Sequence, residues 1–360
     1  MNIKNIGIIS IGVILLGIFY LNSNKSRINS TKFDAELNQQ VTFISNIVEI
    51  ERIDLNKSYS KFRKDKKVFY FLDTKDHKIY THDLKGKKIA SIGGGKGMAP
   101  DESVWVYDHK YDSSGVFIVD IQGANLKKIS HEGDLISYGK LIDEKGELNR
   151  GVALGNNIFL LTKFDELSNQ LRVIKLSLRK DSINLIEENI LKLPKESSRY
   201  DFYYDGDFVT NGNESVYYCW FTNDFVILDN NGRTKFNAKS IFESEGPKVV
   251  TKTNVKGHQY TKYKSRYYLN NSAAIDESYF YMLTKLNHGE ETEQKQSYID
   301  VYSLKNGDYV GTLKIPAIQA TGDLVEYPKE IYKEMDSNDL YVLYEESHLV
   351  KYKLEDERFN

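Results

Sequence analysis

The chain has 360 residues, and its 49 Lys and Arg against 51 Asp and Glu give a net charge of −2. This balance argues against a globally basic nucleic-acid-binding protein and against a strongly acidic tail protein. Apolar residues make up 40% of the chain, with 26 Tyr and 17 Phe, so the sequence can bury a substantial core and differs from a disordered one.

An apolar run lies close to the N-terminus. Ile6 to Leu21 follows a single lysine, Lys4, and precedes the polar residues 22–25. A helix of this length spans about 24 Å, slightly less than the roughly 30 Å of a bilayer core. The run is therefore typical of a signal peptide or a short signal anchor over residues 1–24, and a polar linker follows at 25–39. No A-x-A-type cleavage site stands at the end of the run, which favours a retained anchor over a cleaved signal peptide.

The flanking charges and the length of the body give opposing indications of orientation. Lys25, Arg27 and Lys32 outweigh Lys4, and the positive-inside rule then favours a cytoplasmic body. Long domains, however, translocate largely regardless of flanking charge. We expect export, with the body in the cell envelope outside the cytoplasmic membrane.

Short strand-like runs separated by turn residues fill the rest of the chain. Runs rich in aromatic and β-branched residues begin at about residues 68, 116, 157, 216, 279 and 340. A four-stranded propeller blade takes about 40 to 50 residues, whereas a sandwich or an up-and-down barrel has no such long period. The pattern predicts an all-β, six-bladed β-propeller of four-stranded antiparallel blades over residues 40–355, with a tail at 356–360.

The last of these units shows only three strands, between residues 330 and 354. A propeller must close its ring, because open strand edges are exposed to unwanted pairing. The missing strand is predicted from the N-terminal side of the ring, near Val41 to Val48. The two ends of the body would then share one blade.

The first unit, Val68 to Gly97, carries a recognisable motif. An apolar strand ends in Asp73, an Asp-x-x-Gly turn runs from Asp83 to Gly86, and a glycine-rich run occupies Gly93 to Gly97. This unit resembles six-bladed β-propellers of the NHL and TolB-like type, and the second unit matches them less fully. The resemblance implies an exported propeller. Related hydrolases hold a metal in the channel, but their ligands have no identifiable counterparts here.

Local motifs for catalysis or metal binding are absent from the sequence. The single cysteine, Cys219, excludes an internal disulfide and multi-cysteine zinc sites, and its aromatic strand predicts a buried small side chain. The seven histidines show no HxH, HxxH or HxxxH spacing, and no G-x-S-x-G elbow occurs. We therefore predict no catalytic residue, no metal ligand and no cofactor.

The most distinctive stretch is Gly246 to Tyr268, which holds six Lys and Arg and no acid. Cations interleaved with aromatic rings suit an anionic polymer, a sugar or an acidic partner. Alternatively, the stretch is a solvated insertion whose tyrosines cover a blade edge. The candidate ligand-binding residues are Lys256, His258, Tyr260, Lys262, Tyr263 and Arg266.

These observations favour a non-enzymatic binding or interaction module for an envelope protein or an anionic glycan. Nucleic acid is not expected as a partner, because an exported protein does not meet it. The alternative is a metal-dependent hydrolase or lyase with its site in the propeller channel. A purely structural subunit of an envelope complex is a third interpretation, since fold alone does not decide function.

Overall fold

The computed structural model describes most of the chain from Val41 onward. Every named strand belongs to one compact unit, Phe43–Leu286 with Gln296–Asn360. The described residues are 41–44, 47–65, 67–141, 147–165, 168, 170–193, 203–242, 249–253, 259–263, 268–286, 296–320 and 324–355. The predicted N-terminal segment, Ile6 to Leu21, lies outside them. Within these ranges no helix has the length and hydropathy needed to cross a membrane.

Six four-stranded antiparallel sheets form six blades, as predicted. Strand β1 (Ile47–Asp54) belongs to the last blade. Blades one to three consist of β2 (Lys61–Lys64), β3 (Val68–Asp73), β4 (Lys78–Asp83), β5 (Lys88–Ile92), β6 (Val106–Asp112), β7 (Gly115–Asp120), β8 (Asn125–Ile129), β9 (Leu135–Lys140), β10 (Glu147–Gly155), β11 (Ile158–Asp165), β12 (Gln170–Arg179) and β13 (Ser182–Ile190).

The second half of the ring repeats this arrangement, with two short hairpins added between blades. Blades four to six and the hairpins consist of β14 (Gly206–Thr210), β15 (Glu214–Cys219), β16 (Asp224–Asp229), β17 (Thr234–Lys239), β18 (Val249–Thr253), β19 (Gln259–Tyr263), β20 (Asn270–Ile275), β21 (Tyr279–Leu286), β22 (Gln296–Ser303), β23 (Tyr309–Ile315), β24 (Ile318–Gln319), β25 (Val325–Glu326), β26 (Pro328–Lys333), β27 (Asp339–Tyr344) and β28 (His348–Leu354).

The first strand of each blade lies innermost, and these strands contact one another in ring order: β2, β6, β10, β14, β20, β26 and again β2. The second strands are the aromatic-rich runs identified in the sequence. Their central side chains are buried on both faces, because each blade packs against the blade before it and the blade after it. Cys219 ends one of these strands and is fully buried, as predicted.

The N-terminal strand closes the ring, but it lies later in the chain than the predicted Val41 to Val48. β1 pairs antiparallel with β28, from Ile47 opposite Leu354 to Asp54 opposite His348. Phe43 instead forms a parallel bridge to Thr312 on the outer strand of blade five. The reason lies in two separate cores. Ile44 fills the core that contains residues of blades five and six, whereas Ile53 fills the one that contains residues of blades six and one.

The Asp-x-x-Gly turn of the first unit recurs in blade four. The carboxylate of Asp83 accepts the backbone N–H groups two and four residues later, both at 2.9 Å, and Asp229 does the same at 2.8 and 2.9 Å. Gly86 and Gly232 follow with φ of 83° and 80°, a region in which glycine is favoured. A Cβ on Gly86 would lie 2.3 Å from a methyl carbon of Ile53, so this turn packs tightly against β1.

The closure by β1 can be tested with two isoleucines of the same strand. Ile53 is 5% exposed and Ile50 is 52% exposed. We expect Ile53→Ala to lower the free energy of unfolding by about 2–5 kcal/mol, because it leaves a cavity in the closing core. Ile50→Ala should change it by about 0.5 kcal/mol or less. Denaturant titration measures both values, and equal effects would contradict the assigned register.

Candidate functional site

Charged side chains from the innermost strands converge at the centre of the ring. The Nζ atom of Lys61 in blade one lies 2.7 Å from Oδ2 of Asp207 in blade four. Blades one and four occupy opposite positions in a ring of six, so this ion pair crosses the channel. The side chains are 18% and 8% exposed. The channel is therefore bridged at this level by the protein's own charges.

A second set of ion pairs joins blade one to both of its neighbours. The guanidinium of Arg63 lies 2.8 Å from Oδ1 of Asp108 in blade two and 3.5 Å from Oε1 of Glu330 in blade six. Burial raises the pKa of Glu330 to about 7, although Lys61 and Arg63 oppose that shift. Glu330 thus titrates near neutrality, next to a cation that stays charged.

Arg150 on β10 joins blade three to the start of blade four. Its guanidinium pairs with the carboxylate of Asp205, and its Nε–H donates to the carbonyl of Gly206 at 2.9 Å. The same guanidinium lies 4.5 Å from the ring centre of Trp220 and 5.2 Å from that of Tyr107. Such stacking suits the planar cation, which is held by charge and by aromatic faces together.

Two groups with the chemistry of a nucleophile or a base lie away from solvent. Burial raises the pKa of the Cys219 thiol and lowers the pKa of His109 to about 3. His109 donates from Nε2 to the carbonyl of Tyr70 in the neighbouring blade, at 3.3 Å. Neither side chain is placed to act on a substrate. Among the described residues, no three His, Cys, Asp or Glu side chains are grouped as a metal site requires.

The predicted ligand-binding residues fall on a hairpin or beyond the described ranges. Tyr260, Lys262 and Tyr263 lie on β19, which pairs with β18 in a two-stranded sheet separate from the six blades. Lys256, His258 and Arg266 lie outside the described residues.

Sequence reasoning missed the channel residues. The first strand of blade one, which carries Lys61 and Arg63, has four residues and no apolar repeat. Asp207 lies 146 residues from its partner Lys61 along the chain, and no local pattern joins them. The position of these strands could have been inferred, because each innermost strand lies in the chain just before the aromatic-rich second strand of its blade.

Comparison with solved structures identifies proteins of similar fold. A candidate exported protein from Bacteroides fragilis is 13% identical, with a TM-score of 0.51 over 86% of this chain and 96% of that chain. A protein of unknown function from Bacteroides thetaiotaomicron is 11% identical, with a TM-score of 0.50 over 87% of this chain and 75% of that chain. No protein-family model and no curated protein matches the sequence. At these identities the likeness concerns the fold alone.

The channel pair can be tested against an exposed pair. Asp207→Asn leaves the ammonium of Lys61 without a counter-charge in a largely buried place. We expect a loss of about 1–3 kcal/mol in the free energy of unfolding. Glu49→Gln, which breaks the exposed pair with Arg52, should cost about 0.5 kcal/mol or less. Urea unfolding of both variants decides the point, and an Asp207→Asn variant as stable as the parent would contradict it.

Proposed function

We propose that this protein is an exported propeller, held at the cell envelope through Ile6 to Leu21, that binds a protein or an anionic glycan without catalysing a reaction. The main support is the pairing of the channel charges with one another. Lys61, Arg63 and Arg150 each contact a carboxylate supplied by another blade. A substrate that entered the channel would have to separate these pairs, which leaves buried charges uncompensated.

A partner would then bind to the exposed periphery of the ring rather than in the channel. The β18–β19 hairpin is an addition between blades four and five, and the ring is complete without it. Lys252 and Thr253 at the end of β18 are exposed. The surrounding stretch, Gly246 to Tyr268, carries six cations and no acid in a chain whose total charge is nearly balanced. Such a local excess of positive charge favours an anionic partner.

Export is supported by two independent features. The apolar run Ile6 to Leu21 has the length and polarity of a signal peptide or anchor. The Bacteroides fragilis protein of similar fold is itself described as a candidate exported protein. The motif of Val68 to Gly97, which resembles NHL and TolB-like propellers, is consistent with the same location.

The binding surface can be tested by removing three charges together. The variant Lys256→Ser/Lys262→Ser/Arg266→Ser should fold like the parent and should be retained less on an anionic glycan matrix at low salt. Retention of the parent should also fall as salt rises, because the screening length is about 10 Å at 0.1 M ionic strength. Elution position on a salt gradient measures both effects.

A matched control removes the same number of charges elsewhere on the ring. It replaces three exposed lysines of blades four and five for which the described residues show no ion pair: Lys239, Lys305 and Lys314. If the control variant loses as much retention as the first variant, only total charge matters and the proposed surface is wrong. A stoichiometric divalent metal in the purified protein would instead support the channel hydrolase.

A further inference from the structure

A cleft of about 510 Å³ opens where the closing blade meets the first blade. One side is formed by Asp54 at the end of β1 and by residues 55–57 and Tyr59 of the connection from β1 to β2. The other side is formed by Tyr80 and His82 of β4, residues 85–87 of the β4–β5 turn, and Lys88 at the start of β5. This volume lies within the range of about 300 to 1,000 Å³ that is usual for small-molecule sites.

The cleft carries an excess of positive charge. Four lysines and one acid, Asp54, line it. The positive charge of Lys57 is compensated by carboxylates, because its ammonium group pairs with Asp73 and lies 3.7 Å from Oδ2 of Asp76. The other three lysines are exposed, and none has a carboxylate within ion-pair distance among the described residues; they are Lys85, Lys87 and Lys88.

The turn that carries these lysines is held in place. Asp83 accepts the backbone N–H groups of Lys85 and Lys87, and the N–H of Gly86 donates to the carbonyl of Asp83 at 3.0 Å. Contact between Gly86 and Ile53 fixes the turn against β1. The backbone of the site is therefore organised in advance of binding, which reduces the entropy lost when a ligand is bound.

Aromatic groups form the inner wall of the cleft. The Nζ atom of Lys88 lies 4.2 Å from the ring centre of Tyr80, and that of Lys57 lies 4.5 Å from it. The Nδ1–H of His82 donates to the carbonyl of Gly86 at 2.8 Å, so Nε2 is the nitrogen that accepts from the Tyr59 hydroxyl at 2.9 Å. Burial lowers the pKa of His82, which agrees with this neutral form. The positive charge of the cleft therefore comes from its lysines.

The cations of the cleft are compatible with a tetrahedral oxyanion. Lysine is a compact point charge and a common phosphate ligand, and several lysines together can compensate the charge of a sulfate or phosphate group. The charged donors of this cleft are lysines only. A bare sulfate or phosphate would fill a small part of about 510 Å³, and the exposed side chains of Asp54 and Asn56 can bind hydroxyl groups of a larger body.

We propose that this cleft binds a sugar-sized ligand that carries a sulfate or phosphate ester. The lysines of the β4–β5 turn hold the ester group, and the connection from β1 holds the hydroxyl-bearing part. Such a ligand contacts the closing strand's connection and blade one together, so its binding also stabilises the closed ring. This site is built from blades six and one, and it is independent of the β18–β19 hairpin proposed above.

Isothermal titration calorimetry on the full-length chain at low salt tests the site. The probes are N-acetylglucosamine 6-sulfate, N-acetylglucosamine 6-phosphate and the neutral N-acetylglucosamine. We expect at least one ester to bind and to raise the melting temperature, and the neutral sugar to give no heat. The triple variant Lys85→Gln/Lys87→Gln/Lys88→Gln should weaken ester binding at least tenfold. The tighter of the two esters shows whether the cleft prefers sulfate or phosphate.

Two controls make the result decisive. Glutamine at Lys239, Lys305 and Lys314 removes the same charge and should leave ester binding unchanged. The serine variant of the hairpin stretch should also bind esters like the parent, which separates failure of this site from failure of the hairpin. If the triple glutamine variant melts early, Lys87→Gln alone replaces it. Absence of ester binding, equal binding of the neutral sugar, or equal losses in the cleft and control variants would overturn the assignment.

Discussion

The pairing of β1 with β28 is the interaction on which the other features depend, because it joins the two ends of the body in one blade. The pairing extends from Ile47 to Asp54 with one irregularity, between Glu49 and Glu51. The N–H of Leu55 then donates to the carbonyl of Ser347 at 2.8 Å. Ile53 thereby enters the core that also holds Phe69 and Phe71 of blade one. With β1 in place, β28 is paired on both of its edges, and the last blade has four strands like the others.

Closure also determines where charge is paired and where it is not. Around the channel, cations and carboxylates from different blades come within ion-pair distance only because the innermost strands form a complete ring. At the seam of blades six and one, the same closure brings the β4–β5 turn against β1 and leaves its lysines facing a cleft. The described charges of the channel are thus paired, whereas Lys85, Lys87 and Lys88 at the periphery are not, and this difference is the basis of the recognition proposed for the outer surface.

The sequence predicted the second strands well and the innermost strands poorly, for a physical reason. Runs such as residues 69–72 and 280–283 are buried between two blades, so they are largely apolar and are visible without context. Lys61–Lys64 instead faces a polar channel and has no such signature. The partners of its charges depend on which blades lie opposite, which is a property of the closed ring. The closing strand was predicted several residues early, because both Ile44 and Ile53 are buried but in different cores.

Hydrogen exchange at the backbone amides of β1 tests the closure most directly. Native-state exchange reports the free energy of the opening that exposes each amide. If β1 is an integral strand of the last blade, its hydrogen-bonded amides should exchange as slowly as those of β28, with the same opening free energy. Amides of β1 that exchange rapidly while those of β28 remain protected would show that the N-terminal strand does not close the ring.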